Sequence, residues 1–443
     1  MGVTQHFVSG DREQAFLLPP DVREWLPAGH LALFVVDAVR ELDLSGFYGR
    51  YRADGWGRPA YDPAVMVALL VYAYAKGVRS SREIERRCVE DVAFRVVAGN
   101  LCPDHATIAR FRGQHEEALG ELFGQVLGLC ARAGLVSTGV VAVDSTKVHA
   151  NASGLANRTV EELAREVLAE AAAADAAEDA LYGERRGDEL PDDLIDPKTR
   201  RARIRDLLGE LEAERESEAR EREEMLARRA EHQRRTGRRP PGRPPVAQPK
   251  ESRVRQRVNV TDPDSRPVKT PRGFIQGYNA HAVVGENQII LAADVTIGTR
   301  DQGHLQPLIT AARAELDRLG APAPEVVVAD AGYWSAGQIR ELTAEGMTVL
   351  VPPDAHTRTE PLPYKRGGLY QQMRERLKTD TGAALYRRRM TMIEPVFGQT
   401  KSNRRADRFQ RRGHPAVRSE WRLITATHNL LKVWRATTAP AAA

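Results

Sequence analysis

Three acidic residues stand at the ends of segments whose patterns predict regular structure. Asp144 follows the run VVAV and Asp330 follows VVVA, and both runs are short, β-branched and typical of buried strands. Glu394, in MIEPVFG, opens a stretch of helical character. A strand that ends in a carboxylate delivers that group to the edge of a sheet, where ligands usually bind. Taken singly, each acid is equally explained as a turn or cap residue.

Taken together, the three carboxylates suit magnesium. This ion prefers hard oxygen ligands, keeps several waters, and works in pairs that clamp the attacking and leaving oxygens of a phosphoryl displacement. Other acids have simpler explanations: Asp301 is expected to cap the helix that follows it, and Asp262 and Asp264 to form a turn. His149 is a minor candidate for contact with substrate. The sequence therefore predicts a site for phosphodiester chemistry that uses divalent metal ions.

The segments around these acids resemble the DDE transposases of bacterial insertion sequences. The similar stretches occur in the order that this family shows, and they are VDSTKVHANAS, VNVTDPDSR followed by GFIQGYNAHAVV, ADAGYWS, and IEPVFGQTKSNRR. The resemblance covers most of the chain and is weakest from about residue 159 to residue 256. It implies an RNase H-like catalytic domain and a helical N-terminal transposase domain.

The resemblance also implies roles for the three acids. Asp144 would bridge two Mg²⁺ ions, with Mn²⁺ as a substitute, while Asp330 and Glu394 would each hold one ion. A metal-activated water would cut the phosphodiester at the element end, and the released 3′-hydroxyl would then attack target DNA. The implied partners are the terminal inverted repeats of the element and the target DNA, with the protein acting as a homodimer on DNA.

Around the third acid the family carries a Tyr, Arg, Glu, Lys signature, which this sequence supplies as Tyr386, Arg389, Glu394 and Lys401. Six residues separate Glu394 from Lys401, as in the family pattern. Four residues separate Arg389 from Glu394, where the best-known form has three, so Arg388 is a rival for the arginine position.

The proline after Glu394 affects the predicted helix. Pro395 has no N–H group and disfavours helical geometry in the residue before it. We therefore expect a helix that begins or kinks at Glu394, with Pro395 as its first residue.

Basic residues are clustered although the net charge is only +5. Nine Lys or Arg residues lie between His232 and Arg257, and a second cluster extends from Arg387 to Arg412, on both sides of Glu394. Charge clusters of this kind are often only solvated surface, but a cluster beside a predicted metal site favours contact with a polyanion. The predicted DNA contacts are Tyr386, Arg389, Lys401, Arg404, Arg405, Arg110, Arg112 and Arg243.

The first 135 residues show helical spacing of apolar residues, with Asp62 and Pro63 placed at the start of one helix. Asp104 is placed to cap a later helix whose first turns carry Arg110 and Arg112. A short helix, a turn and a basic helix are compatible with a helix-turn-helix motif. A plain helical bundle, or a domain that makes dimer contacts, fits the spacing equally well.

After residue 135, the order of the strand and helix signals matches an α/β fold, an RNase H-like mixed sheet flanked by helices. In this order Asp144 is on the first predicted strand and Asp330 is on the fourth. The predicted domains are a helical domain at 1–135, a catalytic domain formed by 136–158 and 257–435, a charged helical insertion at 159–256, and a disordered tail at 436–443. The insertion is rich in Ala, Glu and Arg, which favours a coiled-coil arm or a single solvated helix. It ends in a linker whose Gly242, Arg243 and Pro244 match the core of minor-groove AT-hook peptides.

The composition excludes several other classes. No run approaches eighteen apolar residues, the N-terminus lacks a signal-peptide pattern, and the three cysteines form no disulfide framework or zinc motif, so we expect a cytoplasmic protein without a membrane partner. The sequence therefore predicts an insertion-sequence transposase. Two alternatives stay open: a catalytically decayed or domesticated DNA-binding protein, and an RNase H-like nuclease without strand transfer.

Overall fold

The computed structural model describes residues 21–51, 59–154, 157–159, 257–270, 273–354 and 367–438, together with residues 209, 216–217, 219–220 and 222–235. The chain divides into two compact units, Met1–Ala118 with Val433–Ala443, and Leu119–Lys432. Most of the predicted insertion, including Arg243 and the AT-hook match, lies outside the described residues, and residues 222–235 are helical as predicted. Of the predicted tail, residues 436–438 continue the last helix.

The first unit is helical, as predicted. Helix α3 begins as the sequence indicates, because Pro63 is its first residue and the Asp62 carboxylate accepts a hydrogen bond from the Ala64 N–H at 2.8 Å. Almost every residue of α3 is buried, so it forms the centre of this unit. The helices are α1 (Leu31–Arg40), α2 (Ser45–Tyr48), α3 (Pro63–Ala75), α4 (Ser81–Glu90), α5 (Val92–Val97) and α6 (His105–Gln114).

The second unit combines strands and helices. Its helices are α7 (Glu116–Arg132), α8 (Leu305–Arg318), α9 (Ala336–Ala344), α10 (Gly368–Lys378), α11 (Asp380–Gly398) and α12 (His414–Thr438), of which α7 begins and α12 ends in residues of the first unit. Its strands are β1 (Val140–His149), β2 (Asn157–Thr159), β3 (Arg257–Asn259), β4 (Arg266–Thr270), β5 (Gly273–Gly285), β6 (Ile290–Thr296), β7 (Val326–Ala329) and β8 (Thr348–Leu350).

Strand β1 lies in the middle of a mixed sheet. It pairs antiparallel with β5 on one side and parallel with β7 on the other, and β7 pairs parallel with β8. Strands β4 and β6 both pair antiparallel with β5, along different parts of its length. Because the inner strands are buried on both faces, they read as continuous apolar runs. This order confirms the predicted RNase H-like mixed sheet.

Helix α11 corrects the expectation for Pro395. The helix begins at Asp380 and continues through Pro395 to Gly398. A proline in a helix leaves the carbonyl four residues earlier without its helical donor. Here that carbonyl belongs to Thr391, and it accepts a hydrogen bond from the side-chain amide of Gln288 at 3.1 Å. The β5–β6 hairpin therefore supplies the donor that the proline lacks, and the helix is not interrupted.

Neither a membrane-spanning helix nor a disulfide is found among the described residues. Among the described residues, no helix is both long enough and apolar enough to cross a membrane. Cys88 and Cys130 are buried, whereas Cys102 is exposed, and none of the three forms a disulfide.

Candidate active site

The register of the sheet brings Asp144 and Asp330 to the same edge. In the parallel pair of β1 and β7, Val143 lies opposite Ala329. The residue that follows each of these is an aspartate, so Asp144 and Asp330 occupy neighbouring positions where β7 ends. Asp330 follows its strand as predicted, but β1 continues to His149, so Asp144 lies within its strand and not at the end of it. The carboxyl ends of parallel strands are where α/β sheets bind ligands. The structure thus brings together two of the three predicted acids.

Local hydrogen bonds fix one oxygen of each carboxylate. Asp144 Oδ1 accepts from the Ser145 N–H at 2.7 Å. Asp330 Oδ1 accepts from the Gly332 N–H at 3.0 Å and so caps the short 3-10 turn Ala331–Tyr333. The second oxygen of each group is left for contacts outside its own loop.

Burial and like charge both disfavour ionisation of these acids. Burial raises the pKa of Asp144 to about 6, the nearby Asp330 adds to this shift, and Arg389 opposes it. Burial also raises the pKa of Asp330, with a further contribution from Asp301 and opposition from Arg389. A carboxylate whose pKa is raised by a neighbouring acid is stabilised in its charged form by a nearby positive charge. Such a cluster at a sheet edge is typical of a functional site.

A third carboxylate in this cluster, Asp301, was expected only to cap a helix, and the structure corrects that. Helix α8 begins at Leu305, and the Asp301 side chain turns instead toward the sheet. Its Oδ1 accepts hydrogen bonds from Ser145 Oγ at 2.6 Å, from Asn279 Nδ2 at 2.7 Å and from Lys147 Nζ at 3.3 Å. Although burial opposes charge, these three donors lower the pKa of Asp301.

Asp301 and Asp330 are close neighbours across Gly332. A Cβ atom added to Gly332 would lie 3.0 Å from Asp301 Oδ2 and 3.0 Å from Asp330 Oδ1. The absence of a side chain at Gly332 therefore allows the two carboxylates to face the same small space. The sequence carries a signal for this arrangement, because Asn279 and His281 are polar residues that alternate with small apolar residues in a buried part of β5.

Helix α11 supplies the cation of the site. Arg389 Nη1 donates to Asp144 Oδ2 at 2.6 Å, and the two side chains are 14% and 18% exposed. Arg388, the rival candidate, forms an ion pair with Glu286 in the β5–β6 hairpin instead. The structure therefore favours Arg389 as the signature arginine. The Tyr386 ring lies beside it, with 6.0 Å from the guanidinium carbon to the ring centroid.

Glu394 differs from the other two predicted acids because its side chain is exposed. Its carboxylate raises the pKa of Arg389 together with Asp144, Tyr386 and Asp330, in opposition to burial. Glu394 thus acts electrostatically on the same guanidinium as the two aspartates. Among the described residues, however, no three His, Cys, Asp or Glu side chains stand close enough together to hold a metal ion.

Lys401 lies against the strand that carries Asp144. Its Nζ donates to Thr146 Oγ1 at 2.9 Å and to the Lys147 carbonyl at 2.7 Å, and burial lowers its pKa. Lys401 belongs to a π-helical turn, Gln399–Asn403, in which the Arg404 N–H bonds to the Gln399 carbonyl. The segment after this turn pairs with the end of β1, where the His149 N–H donates to the Asp407 carbonyl at 2.9 Å.

Two of the predicted DNA contacts are corrected. Arg404 is only 5% exposed and donates to Ile424 O, Thr427 Oγ1 and Thr400 Oγ1. Arg112 is 8% exposed and donates to Tyr74 OH, Arg79 O and Ser81 Oγ. A buried Arg side chain needs acceptors for its N–H donors. Each of these two guanidinium groups finds its acceptors on neighbouring elements of its own unit and so links those elements. Arg405 and Arg110 are exposed, and their DNA contacts stay predictions.

A buried polar network lies behind the acidic cluster. His281 Nδ1 is 2.7 Å from Tyr333 OH, and His281 Nε2 is 3.0 Å from Thr296 Oγ1. Burial lowers the pKa of His281 to about 4, so the ring is neutral at neutral pH. Tyr333 belongs to the turn that Asp330 caps, so the network supports the position of that turn.

The mixed sheet, its central strand β1 and the acidic edge define an RNase H-like fold with a candidate active site. A family model described as a transposase domain (DUF772) matches residues 20–114, and one described as a transposase DDE domain matches residues 255–430. No curated protein and no solved structure matches the chain. The two models together span more than half of the sequence, and the chain belongs to the DDE transposases of insertion-sequence type.

Proposed function

We propose that this transposase cuts DNA at the ends of its element and transfers the freed 3′-hydroxyl to target DNA, with divalent metal ions bound at the acidic edge of the sheet. The observation that carries the proposal is the parallel register of β1 and β7, which ends with Val143 opposite Ala329 and so places Asp144 and Asp330 next to each other. Two carboxylates held side by side, each with its pKa raised, favour a bound cation.

The donor set fits Mg²⁺, with Mn²⁺ as a substitute. Carboxylate oxygens are the ligands that this ion prefers, and few of them are needed because it keeps several waters. Asp144 and Asp330 would hold it, with Glu394 contributing from α11. The bound ions would activate the attacking water and stabilise the leaving oxygen. Arg389 forms an ion pair with Asp144, and a positive charge at this position supports the proposal of a site for a cation.

The remaining side chains would bind and orient the DNA strand. Lys401 is fixed against β1 by Thr146 and Lys147, which places its ammonium group beside the strand of Asp144. Arg389 can donate two hydrogen bonds to a phosphate, and Tyr386 can donate one or stack on a base. Arg405 and Arg110 would add contacts to the DNA backbone. Such contacts fix the register of the DNA and do not read its sequence.

The partners follow from the family. We expect the protein to bind the terminal inverted repeats of its element and its target DNA, to act as a homodimer on DNA, and to meet this DNA in the cytoplasm. We also retain the predicted domain boundaries: the DUF772 match lies inside the helical domain at 1–135, and the DDE match begins two residues before the second part of the catalytic domain and otherwise lies within it.

The test uses supercoiled DNA that carries the element ends, together with Mg²⁺ and the purified full chain. Asp144→Asn and Asp330→Asn should each lower the rate of strand cleavage at least about thousandfold. Binding of the element ends, measured by gel shift, should change little, because these residues are not phosphate donors. Asp354→Asn is the control, since Asp354 pairs with Arg374 at 2.8 Å in a comparably buried ion pair.

The products separate the alternatives. Joining of pre-cut ends to a target plasmid supports transposition, cleavage without joining indicates a nuclease, and binding without cleavage indicates a decayed or domesticated DNA-binding protein. Cleavage at the wild-type rate by Asp330→Asn would refute the proposed site.

A further inference from the structure

Arg389 lies where several acidic groups of the site converge. Its guanidinium contacts Asp144 directly at 2.6 Å, and Asp330 and Glu394 are near enough to raise its pKa. These are the same three acids that would hold the metal in the proposed function. A single cationic side chain therefore interacts with all three predicted ligands.

A guanidinium and a metal ion cannot use the same carboxylate oxygen in the same way. Mg²⁺ binds its oxygen ligands at about 2.0–2.1 Å, in a strict octahedral arrangement. Arg389 Nη1 already lies 2.6 Å from Asp144 Oδ2, the oxygen that the Ser145 N–H leaves without a backbone donor. Two like charges this close would also repel each other strongly in a partly buried site. A metal ion on Asp144 Oδ2 must therefore displace the Arg389 side chain.

The backbone that carries Arg389 is fixed, so the exchange concerns the side chain alone. Arg388 pairs with Glu286, and the Thr391 carbonyl accepts from Gln288 at 3.1 Å, and both partners belong to the β5–β6 hairpin. These contacts hold α11 against the sheet on either side of Arg389. An arginine has several rotatable bonds and can move its guanidinium without movement of the helix.

We propose that Arg389 is a positioning residue that occupies the cation position of the acidic site before metal binds, and that it competes with the divalent ion for Asp144. The proposal rests on the proposed function and adds a property to it. In the metal-free protein the guanidinium keeps the carboxylates from repelling one another. Once displaced, the same guanidinium is free to donate to a phosphate of DNA.

This exchange couples the two ligands of the protein. A phosphate that binds Arg389 removes this side chain from Asp144 and so makes the metal site available. A metal ion that displaces Arg389 from Asp144 makes the guanidinium available to a phosphate. Because binding free energies are reciprocal, each ligand must raise the affinity for the other by the same factor. The protein would therefore bind metal weakly until DNA is present.

The experiment measures Mn²⁺ binding to the full chain without DNA, by electron paramagnetic resonance at about pH 8, where ordinary carboxylates are ionised. Arg389→Met should bind Mn²⁺ at least about tenfold more tightly than wild type, because the competing charge is gone. Arg389→Lys keeps a positive charge on a more flexible stem and should fall between the two. The Lys variant also provides the comparison if the Met variant fails to fold.

Arg374→Met is the matched control. Arg374 and Asp354 are 15% and 21% exposed, almost as buried as Arg389 and Asp144, but their ion pair contains no predicted ligand of the metal. This control should cost similar stability and leave Mn²⁺ affinity unchanged. Asp144→Asn should remove the binding that all other variants show.

The outcomes distinguish the two proposals. Tighter binding by Arg389→Met and not by Arg374→Met supports the competition. Two results would overturn the competition and leave the proposed function standing, provided that Mn²⁺ binding depends on Asp144. One is affinity that is unchanged or weaker in Arg389→Met, and the other is affinity that increases equally in both Met variants. Absence of any Mn²⁺ binding that depends on Asp144 overturns both.

Discussion

Two regions of the second unit contain buried or partly buried aspartates, and the aspartates make different contacts in each. One is the acidic cluster of Asp144, Asp330 and Asp301 at the edge of β1 and β7. The other is the loop between β3 and β4, which holds Asp262 and Asp264. Burial raises the pKa of both Asp144 and Asp262, so the pKa shift by itself does not tell the two regions apart.

One oxygen of each loop aspartate accepts hydrogen bonds from other elements of the unit, while the second oxygen of Asp262 is buried without a partner among the described residues. Asp262 is fully buried, and its Oδ1 accepts from Tyr278 OH at 2.6 Å and from the Gly413 N–H at 3.1 Å. Asp264 Oδ2 accepts from the N–H of His414, the first residue of α12, at 2.7 Å. These contacts attach the start of α12 to β5 and satisfy N–H groups that a helix start leaves free.

In the cluster, Asp144 and Asp330 are neighbours, and Asp144 contacts a cation that belongs to a different element. Asp301 resembles the loop aspartates in one respect, because it accepts hydrogen bonds from three donors of the sheet. Asp330 adds to the raised pKa of Asp144, whereas Tyr278 and Gly413 lower that of Asp262 against its burial. The comparison teaches that a raised pKa must be judged together with the contacts of the acid. Asp262 accepts from fixed donors of the scaffold, whereas Asp144 contacts a charged side chain of another element, as expected of a site that binds a cation. Substitutions in the two regions should therefore have opposite consequences.

The largest effect on stability is expected in the loop. Asp262→Ala should lower the free energy of unfolding by about 2–4 kcal/mol, because Tyr278 OH and the Gly413 N–H lose their acceptor in a buried place. Chemical denaturation measures this loss. Asp294→Ala, which breaks an exposed pair with Arg418, should cost less than about 1 kcal/mol. Equal losses in these two variants would contradict the structural role of Asp262.

Asp144→Asn should change the free energy of unfolding in the opposite direction, toward greater stability. The folded pKa of about 6 lies above the ordinary value of 3.8, so between these values the folded chain keeps a proton that the unfolded chain has released. Stability from this group is therefore complete below about pH 4 and is lost as the pH rises through about 6. Without metal, the Asn variant should be more stable than wild type by about 1–3 kcal/mol above that window.

Denaturation at several pH values gives the test for Asp144. The advantage of the Asn variant should disappear below about pH 4, where the wild-type carboxyl is protonated in both states. A variant less stable than wild type at neutral pH would show that the ion pair with Arg389 outweighs the cost of burying the charge.

The smallest effect is expected for Asp264. Asp264→Ala removes the acceptor of the His414 N–H at the start of α12 and should cost about 1 kcal/mol. Asp264→Asn retains an acceptor oxygen and should recover most of this loss. The same denaturation series measures both variants, and a loss as large as that for Asp262→Ala would show that the two acids act as one unit.

The strands and their acids could be predicted because the signals are local. Runs of β-branched residues give β1 and β7, and the residue after a buried strand lies at the sheet edge whatever the rest of the chain does. Asp330 follows this rule, whereas Asp144 follows the apolar run but lies within β1, which continues to His149. The start of α3 at Pro63 was likewise fixed by neighbours in the sequence.

The remaining features depend on contacts between distant residues. Asp301 contacts Ser145, which lies 156 positions away in the sequence. The residues around Asp301 therefore could not show whether its side chain caps a helix or accepts hydrogen bonds from the sheet. Consecutive residues of a helix point about 100° apart, so spacing could not decide whether Arg388 or Arg389 faces β1. Arg112 and Arg404 carry the same charge as surface arginines, and only the folded structure shows that acceptors surround them.

The π-helical turn Gln399–Asn403 has a consequence for the length of the chain near the site. A turn closed by a bond between residues five apart holds one residue more than a regular α-helical turn. Deletion of a single residue there would restore regular winding and rotate all that follows by about 100°. The backbone hydrogen bonds of Asp407 and Phe409 to His149 would then be out of register. The segment after α11 could no longer pair with the end of β1.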